Sequence, residues 1–342
     1  MIEINGATGG GSLVRLAVGL SAATGMPVRI VNIRGARPNP GLQAQHVAGV
    51  QVVAELCSAE VRGLRLGSRE LEFYPGPIRR TSLQVEISTA GSIGLALQPV
   101  QIACLSATTP LTVSIVGGAT FGRWAPPVPF LAMVNFPLLR RFGYPAQIDI
   151  ERHGFYPEGG ARARARFFPP RITGPIELLE RGNLIRIGGV SVASHHLQRA
   201  QVAHRQARAA QEVLRPLGVP VEIEVVYADT VCPGSGISLW AEFEGTILGA
   251  DAIGEPGKRS EAVGREAAEG LLGEIHSPAT VDRHMADQLI PFVGLFGGVY
   301  RFRELTDHMR VNMDVVSRFT ESTFQIEGGV LRVQKPSSPA RG

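Results

Sequence analysis

Residues 2–47 read IEINGATGGGSLVRLAVGLSAATGMPVRIVNIRGARPNPGLQAQHV, and the alternation inside this stretch sets the fold class. Residues 2–4 carry the alternating pattern of a short strand, and the glycines at 9–11 mark a turn. Residues 13–22 are an apolar run without proline, long enough for a helix. Residues 28–33 again gather Val and Ile, as strands do. The turn Pro38-Asn39-Pro40-Gly41 follows, and over 42–59 apolar residues recur at helical spacing (Val47, Val50, Val53, Ala54, Cys57). Segments 61–66, 70–74 and 84–87 then read as short strands bounded by Gly and Pro. The stretch and its flank make a βαβαββ-like unit.

Downstream the pattern recurs. A helix is predicted over 93–107, a strand over 111–116, a glycine turn at 117–118, a helix over 129–142, and strands near 146–151 and 161–168. Glycine pairs at 9–10, 117–118, 159–160 and 328–329 point to internal duplication. Residues 169–175, PPRITGP, read as a linker. Beyond it come a strand over 184–192, a basic helix over 197–217, strands over 221–226 and 236–242, and a helix over 260–275. Helix and strand resume at 277–300 and continue to the end. The expected architecture is α/β (α+β): a large domain of repeated βαβαββ-type units (1–178 and 277–342) with a smaller inserted αβ domain (179–276).

Composition removes several classes of function. With 44% hydrophobic and 19% charged residues over 342 positions, the chain is globular rather than disordered or coiled coil. The net charge is only +4, but Lys258 and Lys335 are the only lysines among 34 basic side chains. A mechanism built on a lysine must therefore use Lys258 or be dropped. Cys57, Cys104 and Cys232 show no CxxC spacing, which argues against a disulfide framework or a cysteine zinc site. No signal peptide and no membrane span are visible, so the expectation is a protein of the reducing cytoplasm.

Several residues carry chemistry. The glycine loop at 6–12 sits between strand and helix, where backbone N–H groups can approach an anion, but it is neither a P-loop nor a GxGxxG. Arg15 falls inside the apolar run LVRLAVGL; a buried guanidinium needs an anionic partner, an internal carboxylate or a substrate phosphate. Arg34 and Arg37 before the Pro-Asn-Pro-Gly turn, with Gln45 and His46 after it, would make a phosphate or ribose cradle, or a solvated surface. His195, His196 and His204 share a polar, arginine-rich face that reads as solvated or RNA-facing. In the run from His284 to Gln288, Asp287 lies on the same helical face as His284 and could orient the imidazole, hold a cation, or merely cap or pair. His308 lies between a strand at 299–303 and a short helix. Imidazole is largely neutral near pH 7 and attacks phosphorus, so with lysine nearly absent it is the available nucleophile.

Together these segments resemble the RNA 3′-terminal phosphate cyclase family over essentially the whole chain. The resemblance is carried, in order, by residues 9–47, STAGSIGLALQPV, GGATFGRWAPPVPF, RHGFYPEGGA, ERGN, GADAIGEPGK, HMADQLIPF and HMRVNMDVVSRF. It implies an enzyme using ATP and Mg²⁺ or Mn²⁺ to convert an RNA 3′-phosphate end to a 2′,3′-cyclic phosphodiester. The implied intermediates are a histidyl-AMP on His308 and an RNA(3′)pp(5′)A end. Gln98, His284, Met285, Ala286, Asp287 and Gln288 match the family's adenylate-binding segments. Arg15, Arg34, Arg37, Gln45 and His46 match its phosphate- and RNA-end-binding positions. The implied partner is RNA with a 3′-phosphate end, and the chain could act alone or as a homodimer.

One departure stands out. Where the family has Glu-Gly-Gly-Gly-Gln, with the glutamate associated with the divalent metal, this chain has Thr8-Gly9-Gly10-Gly11-Ser12. Losing a metal-ligating carboxylate is expected to weaken cation binding, so a catalytically impaired, RNA-binding relative is the alternative expectation. An enolpyruvyl transferase on a related fold is disfavoured by the shortage of lysine.

Overall fold

The computed structural model describes residues 1–7, 9–122 and 125–335. Thr8, on which the glycine-loop comparison partly rests, lies outside the described residues. A first unit runs β1 (Ile2–Asn5), α1 (Gly10–Thr24), β2 (Val28–Val31), α2 (Ala44–Cys57), β3 (Glu60–Arg62) and β4 (Leu71–Tyr74). A second runs β5 (Ser82–Ser92), α3 (Ile93–Ala103), β6 (Leu111–Ala119), α4 (Val128–Phe130), a π turn at Leu131–Asn135, α5 (Phe136–Arg141), β7 (Ala146–Arg152) and β8 (Arg162–Phe167). The chain then makes β9 (Ile176–Leu178) and departs into β10 (Leu184–Ser194), α6 (Val202–Leu214), β11 (Val221–Ala228), β12 (Ser235–Phe243), β13 (Ile247–Ile253) and α7 (Ser260–His276). It returns as α8 (Arg283–Gln288), α9 (Ile290–Phe296), β14 (Gly298–Arg301), α10 (Asp307–Thr320), β15 (Thr323–Glu327) and β16 (Val330–Gln334).

Three of the four sheets share one topology: β1-β2-β4-β3, β5-β6-β8-β7 and β9-β14-β16-β15. In each, the first two strands are parallel and the other pairings antiparallel. A parallel pair needs a crossover, and helices supply it every time. The duplication expected from the glycine pairs is thus a triplication, with the third unit split after its first strand. That strand is only three residues long and pairs Ile176 with Gly298, far along the chain. Local periodicity carries no trace of such a partner. The fourth sheet, β11-β10-β12-β13, lies wholly within the interruption. The architecture is the α/β fold of repeated βαβαββ units with a smaller αβ insertion.

Helix α1 is the hub. Leu13, Val14, Leu16, Ala17, Val18 and Leu20 are each at most 3% exposed, as expected of a helix apolar on every face. It packs against α2, α3 and α10. At Gly19 a Cβ would sit 2.9 Å from the Pro99 carbonyl oxygen, so α1 and α3 meet at a distance only glycine permits. One hydrophobic core runs through all three units, while Ile187, Leu239, Leu248 and Leu271 belong to a second core under the fourth sheet.

Local differences from the sequence expectations have local causes. The basic helix expected over 197–217 begins only at Val202, because Gln201 takes a left-handed conformation (φ 52°) after a 3-10 turn at His195–Leu197. The short helix expected after His308 is instead a 14-residue helix that begins at Asp307 and includes His308.

Candidate functional site

A polar cavity of about 400 Å³ opens where the three units and β13 meet. Helix α1 contributes Ser12 and Arg15, α3 contributes Gln98 and Gln101, and β13 contributes Asp251. Helix α8 lends Arg283, His284, Asp287 and Gln288, and α10 with its leading residue lends Thr306, His308 and Asn312. Six residues singled out in the sequence therefore share one cavity: Arg15, Gln98, His284, Asp287, Gln288 and His308. Met285 and Ala286 do not line it. They are 0% and 2% exposed and seat α8 on the core; Asn135 Nδ2 approaches the Met285 sulfur at 3.4 Å, and Tyr300 donates to the Ala286 carbonyl.

At one end two helix N-termini converge. Helix α1 begins without a capping side chain or an acid in its first turn. Thr306 caps α10 by accepting from the Met309 N–H at 3.1 Å, which places His308 in the first turn of that helix. His308 Nδ1 lies 3.5 Å from Ser12 Oγ, which donates to the Gly9 carbonyl at 3.1 Å. Partial burial, then the positive charges of Arg15, Arg283 and Arg37, hold the His308 imidazole below its ordinary proton affinity, against the pull of Asp307. The helix dipole acts in the same sense. The ring is therefore neutral near pH 7.

Arg15 is 6% exposed and its Nε donates to Gln98 Oε1 at 3.3 Å. Among the described residues no carboxylate lies within ion-pairing distance of it. Burial lowers its pKa to about 10, and the more distant Asp287 only partly offsets this. The partner at hand is an amide, not the internal carboxylate that was one of the sequence expectations. A buried cation left this way is poised for an anion.

Of the other residues expected at the phosphates, His46, Arg34 and Arg37 gather behind the α1 N-terminus. His46 is 2% exposed, accepts at Nδ1 from the Gln43 N–H at 3.0 Å, and turns Nε2 toward Gly11, where any Cβ would collide with it. Burial, with Arg15 and Arg34, lowers its pKa to about 4. Arg37 reaches toward Gly10, and Arg34 holds the Gly41 carbonyl at 3.5 Å. Gln45 is exposed on α2, outside the cavity.

The opposite end is acidic. His284 Nε2 lies 3.2 Å from Asp251 Oδ1 and packs edge-on against Phe130. Burial works against its charge, but Asp251, with Asp282 and Asp287 further off, raises its pKa to about 9. The imidazole's direct partner is thus Asp251, not Asp287. Asp282, 1% exposed, caps α8 by accepting from the His284 and Met285 N–H groups at 2.9 Å each, and its other oxygen accepts from Gly249 N–H at 2.8 Å. One side chain thereby fixes α8 to β13. Asn135 donates to Gln288 Oε1 at 2.6 Å and accepts from Gln101 at 2.7 Å, holding the amides of the floor.

Sequence reasoning missed Asp251, Asp282, Asn135 and Asn312. Only Asp282 left a readable signal, as a cap residue ahead of a helical run. The others come from separate units and meet only in the fold. A larger cavity of about 650 Å³ lies between the fourth sheet and the second unit and is lined mainly by apolar side chains. It contains Lys258, which pairs with Glu266 at 2.5 Å, and none of the residues singled out above as site candidates. The smaller, polar cavity is the one with convergent chemistry. Among the described residues no helix is long and apolar enough to cross a membrane.

Fold and cavity together define a class: three βαβαββ units whose inward helices bring arginine, amides and a helix-terminal histidine around one polar cavity. The chain belongs to the RNA 3′-terminal phosphate cyclase family, whose model matches residues 7–326. Relatives named RNA 3′-terminal phosphate cyclase include that of Hyperthermus butylicus, 44% identical over 97% of this chain and 95% of its own. Those of Methanopyrus kandleri and Pyrococcus furiosus are 43% and 42% identical, each over 96% of both chains. The solved enolpyruvyl transferase NikO from Streptomyces tendae overlaps 99% of this chain and 66% of its own at 8% identity, with a TM-score of 0.30. A likeness that slight carries no argument.

Proposed function

We propose that this chain uses ATP to convert an RNA 3′-phosphate end to a 2′,3′-cyclic phosphodiester, with His308 as the nucleophile. The observation that carries the reading is the neutral imidazole of His308 at two converging helix N-termini, beside a buried Arg15 that lacks an anion. The relatives' names support the same reaction.

The Ser12 hydroxyl donates to the Gly9 carbonyl, so its lone pair faces His308 Nδ1. That favours the tautomer with the proton on Nδ1 and the lone pair on Nε2. Nε2 would attack the α-phosphorus of ATP, forming an N–P bond as the bond to the pyrophosphate oxygen breaks. An oxygen of the RNA 3′-phosphate would next displace the imidazole, giving RNA(3′)pp(5′)A and free His308. The adjacent 2′-hydroxyl would then attack the 3′-phosphorus, giving its proton to solvent, as the P–O bond to the AMP phosphate breaks and AMP leaves. This last step needs chiefly positioning and charge neutralisation. Arg15 and the free N–H groups of α1, with Arg34 and Arg37 behind them, supply positive charge at the phosphates. His284, Gln98 and Gln288 would hold the adenylate. Mg²⁺ or Mn²⁺ would add charge neutralisation at the polyphosphate. The carboxyl groups lining the cavity are Asp251, already paired with His284, and Asp287, with Asn312 among the neutral oxygen donors.

The test is incubation with α-labelled ATP and Mg²⁺ or Mn²⁺. Acid-labile, alkali-stable label on the wild type, absent from His308→Ala, is expected. A wild type that never labels, or a variant that labels equally, overturns the reading.

A further inference from the structure

Asn312 is 4% exposed and lines the cavity on α10. Its Nδ2 donates to the Asp287 carbonyl at 3.1 Å, which fixes the amide and leaves Oδ1 as the free end. That oxygen is buried and has no hydrogen-bond partner among the described residues. An unmet buried acceptor costs about 1–3 kcal/mol, so its persistence next to a cavity points to a donor or cation arriving from outside. The Asp287 side chain lines the same cavity and makes no hydrogen bond or ion pair among the described residues; burial raises its proton affinity, opposed by the nearby charges of His284, Arg283 and Arg15.

Positive charge is present at both ends, with Arg283 and the charged His284 on the α8 side. Asp307 sits in the first turn of α10, but the α1 loop contributes no carboxylate among its described residues. The first turn of α1 has no acid, and Arg15, Arg34 and Arg37 gather around it. Ser12 stands where the family carries a glutamine, and no carboxylate accompanies the described glycines of the loop. No three of His, Cys, Asp or Glu are grouped to hold a metal among the described residues, so a protein-only cage is not on offer. Mg²⁺ does not need one: one carboxylate, a neutral oxygen, waters and substrate phosphates are its usual set.

We infer that the divalent cation accompanying the nucleotide is held on the α8–α10 side of the cavity, by the Asp287 carboxylate and Asn312 Oδ1, in place of the glycine-loop carboxylate this chain lacks. The inference rests on the nucleotidyl-transfer reading, since substrate phosphates complete the coordination. It also explains how a chain without that carboxylate could retain the reaction.

The experiment measures Mn²⁺ binding directly, by loss of the free Mn²⁺ EPR signal, in full-length protein with unreactive α,β-methylene-ATP. The wild type should take up one Mn²⁺ in a nucleotide-dependent way. Asp287→Asn should weaken that binding by about tenfold or more and Asn312→Ala by several-fold, whereas Asn312→Asp should match or exceed the wild type. Each variant's nucleotide affinity is also measured without metal. Mn²⁺ affinity unchanged in Asp287→Asn, Asn312→Asp as weak as Asn312→Ala, or metal-free nucleotide affinity falling in step with Mn²⁺ affinity (a ribose contact instead) each overturns the inference. If Asp287→Asn does not fold, the two Asn312 variants still decide. Because nothing reacts in this assay, absent self-labelling would sink the proposed reaction while leaving the cation site to stand or fall on Mn²⁺ alone.

Discussion

His308 and His284 line one cavity yet live in opposite fields. His308 stands at two positive helix ends among Arg15, Arg37 and Arg283 and is held neutral. His284 faces Asp251, with Asp282 and Asp287 nearby, and stays protonated up to about pH 9. A neutral imidazole has a lone pair to give to phosphorus; an imidazolium has only protons to donate. On the proposed reading, charge placement divides the cavity into a reacting end and a holding end, with the same kind of side chain at both.

Exchanging the two histidines' fates is the largest test of that division. His308→Ala should lower self-adenylylation by roughly a thousandfold or more, while His284→Ala should chiefly raise the KM for ATP, by about tenfold. Equal losses in kcat from both variants would erase the contrast. Arg15→Met comes next. It should cut labelling by about a hundredfold, yet raise Tm by about a degree, because a buried guanidinium without an anion opposes folding. A marked drop in Tm would show that Arg15 is structurally paired after all.

Asp251→Asn probes the holding end through pH. A histidine whose folded pKa is raised to about 9 stabilises the fold fully below pH 6.5, and that contribution is lost as pH rises through 9. The ring is partly exposed, so after solvent screening the wild type should exceed the variant by only about 1 kcal/mol below pH 6.5, the gap closing by pH 9. Denaturant melts of both proteins across that range measure it, and a constant gap would mean Asp251 does not control the charge. Ser12→Ala should be the mildest change, slowing labelling by about threefold through loss of the tautomer preference at His308, with nucleotide affinity unmoved. A change in affinity instead would place Ser12 on the nucleotide rather than on the ring.

Much of the fold was legible because its signals are local. The apolar run after the glycine turn became α1, and the β-branched clusters became β2 and β6. His308 could be singled out because lysine is scarce and because imidazole is suited to attack on phosphorus. The segment from His284 to Gln288 was legible as a unit, but which of its members face the cavity was not. A helix turns Met285 and Ala286 inward and His284, Asp287 and Gln288 outward, and that choice depends on what the helix packs against. Gln45 shows the same limit, since it matches a family position yet lies on the exposed face of α2.

The sequence by itself determined the repeating βαβαββ pattern and the scarcity of lysine, and it singled out His308 as the candidate nucleophile, because each depends on neighbouring residues or on composition. Only the tertiary structure decided that there are three units rather than two, since the third is completed by Ile176 pairing with Gly298 across the insertion. It also decided that Asp251 charges His284, that Arg15 lacks a carboxylate, and that Asn312 leaves an oxygen without a donor. These are properties of side chains from distant segments sharing one low-dielectric space, and distance in the folded chain, not order along it, fixes their electrostatics.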